Sequence, residues 1–283
     1  MGGWGPQEAV SRTTQVFDAA TGRWSKGPDI PEGHYGAASA VLDGRLYVVG
    51  GCTNTDCSDT VYVYDPGARS WSRAAAYPQT VSWANCGAVD GRLYCAGGVH
   101  DYVETGAAYV YDPASDSWQP IAAMPVGLAT GAYTAANGQL LVSGGFKRVG
   151  SNRVLTTEGY AYDPGTDAWK RLPDAPTAVY RGGGAPGLYR VGGSGEPRFP
   201  VPVSTVDALP GYDRTETDVP WLTENPHRLT LRPGRTATFT VTLDPRRLTR
   251  PGDWTASLTL TTDGPYWVPD IPVRLRVPAR TAS

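Results

Sequence analysis

The chain has 283 residues, a formal net charge of −2 and 18% charged residues, and it is rich in Gly (35), Pro (25), Tyr (16) and Trp (9). It has no run of 18 apolar residues that could cross a membrane. It also lacks the concentrated basic field that a nucleic-acid partner requires. The length allows one large or two ordinary domains, and the composition favours an all-β fold.

Glycine doublets recur along the first 200 residues at intervals of 47 or 48. They stand at positions 2–3, 50–51, 97–98, 144–145 and 192–193. An aromatic residue followed by Asp repeats in the same frame, at Phe17, Tyr64, Tyr111 and Tyr162, and a Trp follows within seven residues each time. Three markers in one register identify an internal repeat.

Each repeat is predicted to form four short strands. The pairs Asp43-Gly44, Asp90-Gly91 and Asn137-Gly138 are strong hairpin signals, because both central residues of such a turn adopt positive φ. A second turn is expected after Tyr64, Tyr111 and Tyr162, where Asp-Pro follows. Four-stranded units of this length, repeated radially, make a β-propeller.

The order Gly-Gly, Tyr-Asp, Trp resembles the kelch repeat, whose period is near 50 residues. The resemblance covers residues 1–212 and implies a kelch β-propeller of about four to five blades, with the Gly doublets at close contacts and the aromatics between blades. Gly2-Gly3 stands where a second strand should end, so we expect the propeller to be truncated at its N-terminus and upstream blades to belong to a longer parent. A closed four-blade ring whose two ends share one blade is the alternative.

The four cysteines are predicted to form two disulfides. Cys86 and Cys95 flank the Asp90-Gly91 turn symmetrically, so they should face each other with Cα atoms about 4.5 Å apart. Cys52 and Cys57 lie in one loop and could close a small ring. A zinc site is the alternative, but neither spacing matches zinc ligands. Disulfides predict a secreted, extracellular protein.

Residues 213–283 are predicted to form a second domain. Apolar and polar residues alternate at 236–243, 254–260 and 271–277, which indicates half-buried antiparallel strands. About 70 residues with five or more strands suggest a small immunoglobulin-like sandwich. The segment that begins Val219-Pro220-Trp221-Leu222 resembles Ig-like modules of secreted bacterial enzymes.

The succession of kelch repeats, a short linker and this module resembles the C-terminal region of secreted bacterial subtilisin-like (S8-type) serine peptidases. That resemblance implies an Asp-His-Ser triad in an upstream domain, and none of its residues is among these 283. A free-standing secreted kelch protein that binds a protein or a carbohydrate is one alternative. A copper radical oxidase is another, since those enzymes also join a kelch propeller to an Ig-like domain, but their site requires two His, two Tyr and a Tyr-Cys cross-link.

No catalytic motif accompanies the repeats. The chain has no nucleophile elbow, phosphate loop or zinc-protease motif. Its three histidines, His34, His100 and His227, are dispersed. We therefore predict a non-enzymatic protein without cofactor or metal.

Binding is the function that remains. The loops 52–59, 99–105, 146–156 and 194–200 should share one face, and variable loops on a rigid scaffold concentrate ligand contacts. Near the axis of that face we expect a shallow contact surface of five residues: His34, Tyr35, Trp83, Tyr180 and Arg181. Its expected partner is a polypeptide substrate, another domain of the parent chain or a cell-surface component, with no nucleic acid and no membrane insertion.

Overall fold

The computed structural model describes residues 3, 10–19, 21–185, 189–196, 201–209, 212, 219, 221–226, 230, 235–248, 251–258 and 271–278. The chain divides into two compact units, Met1–Thr217 and Asp218–Ser283. Among the described residues the regular elements are β-strands and one 3-10 turn, Pro245–Arg247, so the all-β prediction is confirmed. No helix in these ranges is long and apolar enough to cross a membrane.

Four sheets of the first unit follow the repeat, and each is an antiparallel blade with its strands in chain order. Blade 1 consists of Ala38–Leu42, Arg45–Val49, Val61–Asp65 and Ser70–Ala74. Blade 2 consists of Asn85–Val89, Arg92–Ala96, Ala108–Asp112 and Ser117–Pro120. Blade 3 consists of Ala132–Ala136, Gln139–Ser143, Gly159–Asp163 and Ala168–Leu172. Blade 4 has the three strands Gly183–Ala185, Tyr189–Val191 and Val206–Asp207, and an N-terminal hairpin pairs Gln15–Asp18 with Arg23–Lys26.

The first strand of each blade lies beside the first strand of the next blade, which makes the arrangement radial. The turn after each first strand has the predicted conformation in blades 1 to 3. Asp43 and Gly44, for example, have φ of 51° and 72°. These tight turns and the loops between second and third strands therefore lie at opposite ends of the blades.

The Gly doublets hold neighbouring blades together. The second glycine of a doublet donates its N–H to a carbonyl that precedes the next blade, at 2.8 Å in three cases: Gly51 to Val81, Gly98 to Leu128, and Gly145 to Val179. A Cβ on Gly50 would lie 2.2 Å from the Val81 oxygen, so a side chain cannot be accommodated. Gly3 repeats the bond, donating to His34 O at 2.9 Å, which places it in the same frame.

The repeated aromatics also join the blades. Each blade's Trp packs on its own Tyr, with centroids 5.1–5.2 Å apart, and its indole N–H donates to a carbonyl before the blade: Trp71 to Pro28, Trp118 to Ala75, and Trp169 to Ala122. These side chains are structural.

Both predicted disulfides are present. Cys86 and Cys95 are directly opposed in blade 2, with Cα atoms 4.2 Å apart. Cys52 and Cys57 close the loop that follows the doublet Gly50-Gly51.

The second unit contains two strand pairs among its described residues. Leu222–Asn225 pairs with Thr240–Leu243, and Gly252–Leu258 pairs with Ile271–Val277. In the last strand Val273, Leu275 and Val277 are half-buried while the residues between them are exposed, as alternation predicts. Leu260 lies outside the described residues, and the immunoglobulin-like sandwich remains a prediction.

Candidate functional site

Four residues at equivalent repeat positions form a row around the axis on the loop face, and we call them the axial ring. They are Gly36, Trp83, Thr130 and Arg181, with φ of 66°, 58°, 61° and 58°. Each is the second residue before the first strand of its blade. Only one of them is glycine, although this backbone region disfavours side chains, above all bulky or β-branched ones.

Hydrogen bonds between blades account for this conformation. Trp83 donates its N–H to Gly36 O at 2.6 Å, Thr130 to Trp83 O at 3.2 Å, and Arg181 to Thr130 O at 2.8 Å. The preceding residue of each blade pairs with the residue after that blade's Gly doublet, as Tyr35 does with Cys52. The strained backbone is thus held from both sides.

The Trp83 and Arg181 side chains stack on this ring. The Arg181 guanidinium lies 4.6 Å from the Trp83 ring and 5.4 Å from the Tyr180 ring. The indole also covers Gly36, where a Cβ would come within 2.6 Å of it. Tyr35 meets Trp83 edge-on, with centroids 6.3 Å apart. The geometry keeps a charged, planar group in place on an aromatic platform.

A pocket of ≈ 60 Å³ opens between these side chains. Its lining consists of Trp83, Val99, Ala129, Thr130, Phe146, Arg153, Tyr180 and Arg181. Since about 10–15 Å³ of such volume holds one water molecule, the pocket has room for a few waters or for a small group such as the end of one side chain. None of the lining residues is acidic, and of the two Arg only Arg153 is paired among the described residues, with Glu104, so the Arg181 guanidinium is the charge that favours an anion.

The structure brings together four of the five predicted site residues. Trp83 and Arg181 line the pocket with Tyr180, which is 4% exposed, and Tyr35 adjoins them. The expectation that His34 belongs to the contact surface must be corrected. Its side chain is 1% exposed, its Nδ1–H donates to Gly50 O at 2.7 Å, and it packs on Tyr62, so it supports the Gly doublet and cannot form contact surface.

Two loops of this face are regular hairpins. Val99–His100 pairs with Val103–Glu104, and Phe146–Val149 pairs with Asn152–Leu155. Glu104, whose side chain is 1% exposed, accepts hydrogen bonds from Arg148 Nε at 3.1 Å and from Arg153. This carboxylate joins the hairpins and sets Arg153 beside the pocket.

Sequence reasoning missed Thr130, Phe146, Arg153 and Glu104. Thr130 could have been found, because it stands 47 residues after Trp83 in the repeat. No local pattern indicates the ion pairs of Glu104, whose partners lie 44 and 49 residues away.

The described residues do not assemble a metal centre. No three His, Cys, Asp or Glu side chains in these ranges converge as ligands. His100 Nδ1–H donates to Thr80 O at 2.8 Å, and all four cysteines are in disulfides, so none is available for a Tyr-Cys cross-link. His227 lies outside the described residues.

Comparison with known proteins gives matches of different extent, of which three are described. Residues 1–181 match the KLHDC2/KLHL20/DRC7 Kelch-repeats domain. An F-box/kelch-repeat protein of Arabidopsis thaliana is 41% identical over 46 residues, which are 16% of this chain and 12% of that protein. The solved structure of YjhT has a TM-score of 0.62 at 18% identity and covers 72% of this chain and 75% of its own, which shows a shared fold. The β-propeller prediction is confirmed.

Proposed function

The chain belongs to the family of KLHDC2/KLHL20/DRC7 kelch-repeat domains, and we propose that it is a protein-binding module. Its axial site, by which we mean the axial ring with the adjoining pocket, holds an acidic group of a partner polypeptide. A kelch propeller suggests protein binding in general. The acidic group is the finer claim, and it comes from the chemistry of the pocket.

The observation that carries the proposal is the Arg181 guanidinium stacked on Trp83. In the described residues no carboxylate lies within salt-bridge distance of this guanidinium, whereas Arg148 and Arg153 share Glu104. A guanidinium presents planar N–H donors that match a carboxylate, and an aromatic face orients them. The strained backbone at Trp83 and Arg181 agrees with a functional role, since such strain is concentrated at binding sites.

The pocket size bears on the class of function. At ≈ 60 Å³ it is well below the roughly 300–1,000 Å³ of small-molecule and cofactor sites. We therefore propose a non-catalytic role, in which one acidic side chain enters the pocket and the surrounding loops contact the rest of the partner. A carbohydrate ligand is less well supported, because Thr130 and Tyr180 are the only neutral side chains of the pocket lining with a hydroxyl group, whereas Arg181 supplies a charge.

The test is a selection of random dodecapeptides displayed on phage against the intact protein. We expect enrichment of peptides with Asp or Glu at one position, and we expect Arg181→Ala and Trp83→Ala each to weaken the enriched peptide at least about tenfold, as loss of a binding hot spot does. The matched control is Arg69→Ala. Arg69 is also exposed with positive φ (50°) but lies in a turn at the opposite end of its blade. Peptides without an acidic preference, or equal losses for Arg69→Ala, would overturn the proposal.

For cellular context we propose an exported protein in which this chain positions a subtilisin-like catalytic domain or its substrate. The two disulfides support an oxidising compartment, and the peptidase context rests on the sequence resemblance alone. An immunoblot of culture medium, combined with a serine-directed fluorophosphonate probe, separates the outcomes. A labelled species well above 30.1 kDa supports the accessory role, an unlabelled species near 30.1 kDa supports a free-standing binding protein, and retention inside the cell contradicts export.

A further inference from the structure

We propose that the Cys52–Cys57 disulfide is a thiol–disulfide exchange site for small or protein thiols, and that its opening loosens the blade 1 side of the axial site. The exchange itself is independent of the proposed function. The consequence for ligand binding rests on that function.

The two disulfides differ in access to solvent. Cys57 is exposed and Cys52 is 5% exposed, whereas Cys86 and Cys95 are 2% and 0% exposed inside the core between blades. Exchange requires a thiolate to approach a sulfur atom in line, so access controls its rate. Only Cys57 offers that access in the folded protein.

The reaction balances with a thiol as the co-reactant. A thiolate attacks Cys57 Sγ, a mixed disulfide forms there, and the S–S bond breaks to release the Cys52 thiolate, which takes up a proton. A second thiol then attacks the mixed disulfide and frees Cys57. Two external thiols are oxidised to one disulfide, and the protein disulfide is reduced to two thiols.

The loop that this disulfide closes has no strand pair of its own. Besides the disulfide it is held by short-range hydrogen bonds: Thr53 Oγ1 accepts from the N–H groups of Thr55 and Asp56, and Ser58 N–H donates to Gly51 O at 2.8 Å. In blades 2 and 3 the equivalent segments are hairpins closed by backbone pairing, Val99–His100 with Val103–Glu104 and Phe146–Val149 with Asn152–Leu155. In blade 1 the pairing is one isolated bridge between Cys52 and Cys57, and Thr53 N–H donates to Asp56 O at 2.8 Å. The covalent bond reinforces this single bridge, so its loss should loosen the loop more than it would loosen the paired hairpins of blades 2 and 3.

Cys52 connects the loop to the axial site. Its backbone pairs with that of Tyr35 through two hydrogen bonds of 2.8 and 2.9 Å, and the Tyr35 ring packs against Trp83. Loosening Cys52 therefore removes support from Tyr35 and from one edge of the aromatic platform.

The first experiment measures exchange without any ligand. The native protein is treated with increasing dithiothreitol, alkylated and mapped by peptide mass spectrometry. We expect Cys52 and Cys57 to be alkylated on the order of a thousandfold faster than Cys86 and Cys95, because the buried pair becomes accessible only by global opening. Equal rates, or earlier labelling of Cys86 and Cys95, would overturn the exchange site.

The second experiment tests the coupling. Hydrogen exchange is compared for the oxidised protein, the selectively reduced protein and the variant C52S/C57S. We expect faster exchange at residues 52–58 and at Tyr35 in both opened forms, with the blade 3 hairpin 146–155 unchanged as an internal reference. Selective reduction that leaves Tyr35 unchanged would overturn the coupling.

Ligand binding separates this proposal from the proposed function. If an acidic peptide binds the oxidised protein, we expect its affinity to fall at least about threefold after selective reduction, and an unchanged affinity contradicts the coupling. If no acidic peptide binds the oxidised protein, the proposed function fails, while the alkylation and hydrogen-exchange results still decide the exchange site.

Discussion

At the scale of single residues, the axial ring combines backbone strain with a side-chain stack. Trp83, Thr130 and Arg181 keep positive φ because each N–H must reach a carbonyl of the preceding blade. Gly36 occupies the position over which the Trp83 indole lies, so the single glycine of the ring provides room for that indole. The same backbone geometry thus carries a different residue in each blade.

A second residue-scale pattern concerns the acidic residue two positions before the Trp of blades 2 and 3. Asp116 accepts hydrogen bonds from Ala75 N–H at 2.8 Å and from Tyr111 O–H at 2.7 Å. Asp167 repeats both bonds in blade 3, with Ala122 and Tyr162. In blade 1 the equivalent of Ala75 is Pro28, which has no N–H, and the equivalent of Asp116 is Arg69. Blade 1 therefore lacks both the N–H donor and the carboxylate acceptor of this contact.

Substitution Asp116→Asn should therefore reduce stability in a pH-dependent way. The Ala75 N–H and the Tyr111 hydroxyl lower the pKa of Asp116 in the folded protein, so its contribution is present above the unfolded pKa of about 3.9 and is lost as pH falls through the folded value. We expect a loss of about 1 kcal/mol at pH 7, since the exposed carboxylate is screened by water, and a smaller difference at pH 3. Urea unfolding at both pH values measures it.

The control for this prediction is Arg69→Asn, which changes the equivalent position where no such bonds exist. We expect its effect to be small and independent of pH. A loss for Asp116→Asn that is as large at pH 3 as at pH 7 would show that shape, and not charge, is responsible.

At the scale of elements, the first Gly of a doublet is required both for its positive φ and because a Cβ would collide with the neighbouring blade. Substitutions can separate these two requirements. Gly97 has φ of 69° and a Cβ there would lie 2.3 Å from Leu128 O, while Gly91 has φ of 72° with nothing within 4 Å. We expect Gly91→Ala to lower the free energy of unfolding by about 1–2 kcal/mol through backbone strain alone. Gly97→Ala adds overpacking between blades and should cost about 2–5 kcal/mol in total. Denaturant melts of both variants measure this, and equal losses would refute the close-contact role of the doublet.

The paired loop hairpins provide another element-scale prediction. Glu104 joins hairpins of blades 2 and 3 by accepting from Arg148 and Arg153, and Arg148 also donates to Tyr102 O at 3.2 Å. Glu104→Gln removes the charge and should accelerate amide exchange at 99–104 and 146–155 by roughly tenfold or more, since loss of a charge-assisted hydrogen bond costs about 1.5–3 kcal/mol. Blade strands should keep their protection.

The control for the hairpin prediction is Asp101→Asn on the same hairpin. The Asp101 side chain is 81% exposed, and its one ion pair within the described part of the chain is with His100. We expect it to leave exchange at 146–155 unchanged. Acceleration confined to 99–104 in Glu104→Gln would mean that the two hairpins are not coupled.

At the scale of the whole molecule, the part that could be predicted is the part that repeats. The spacing of doublets and aromatics, together with Asp-Gly turns such as Asp43-Gly44, reports on the same backbone geometry several times, so the blades and the Cys86–Cys95 pairing were predictable. Contacts that occur only once in the molecule could not be predicted in this way. Nothing local distinguishes Glu104 from an ordinary surface residue, and the burial of His34 follows from packing on Tyr62 and Gly50, not from its own position in a loop.

The site was predictable only in outline for the same reason. Loop position indicated Tyr35, Trp83 and Arg181, but positive φ at Trp83 and Arg181 has no sequence signal, because glycine is its usual marker. The sequence predicts loops where the structure has the hairpins 99–104 and 146–155, because short strands with charged residues lack clear alternation. The domain boundary near 213 and the Ig-like fold of the second unit stay predictions.

The central claim is that the loop face at the axis binds a partner polypeptide, and hydrogen exchange with and without the selected acidic peptide tests it most directly. With the peptide bound, we predict slower amide exchange at residues 35–36, 83, 99–104, 130, 146–155 and 180–181. We predict no change at the tight turns 43–44, 90–91 and 137–138. Protection at those turns, or only within 218–283, would contradict it.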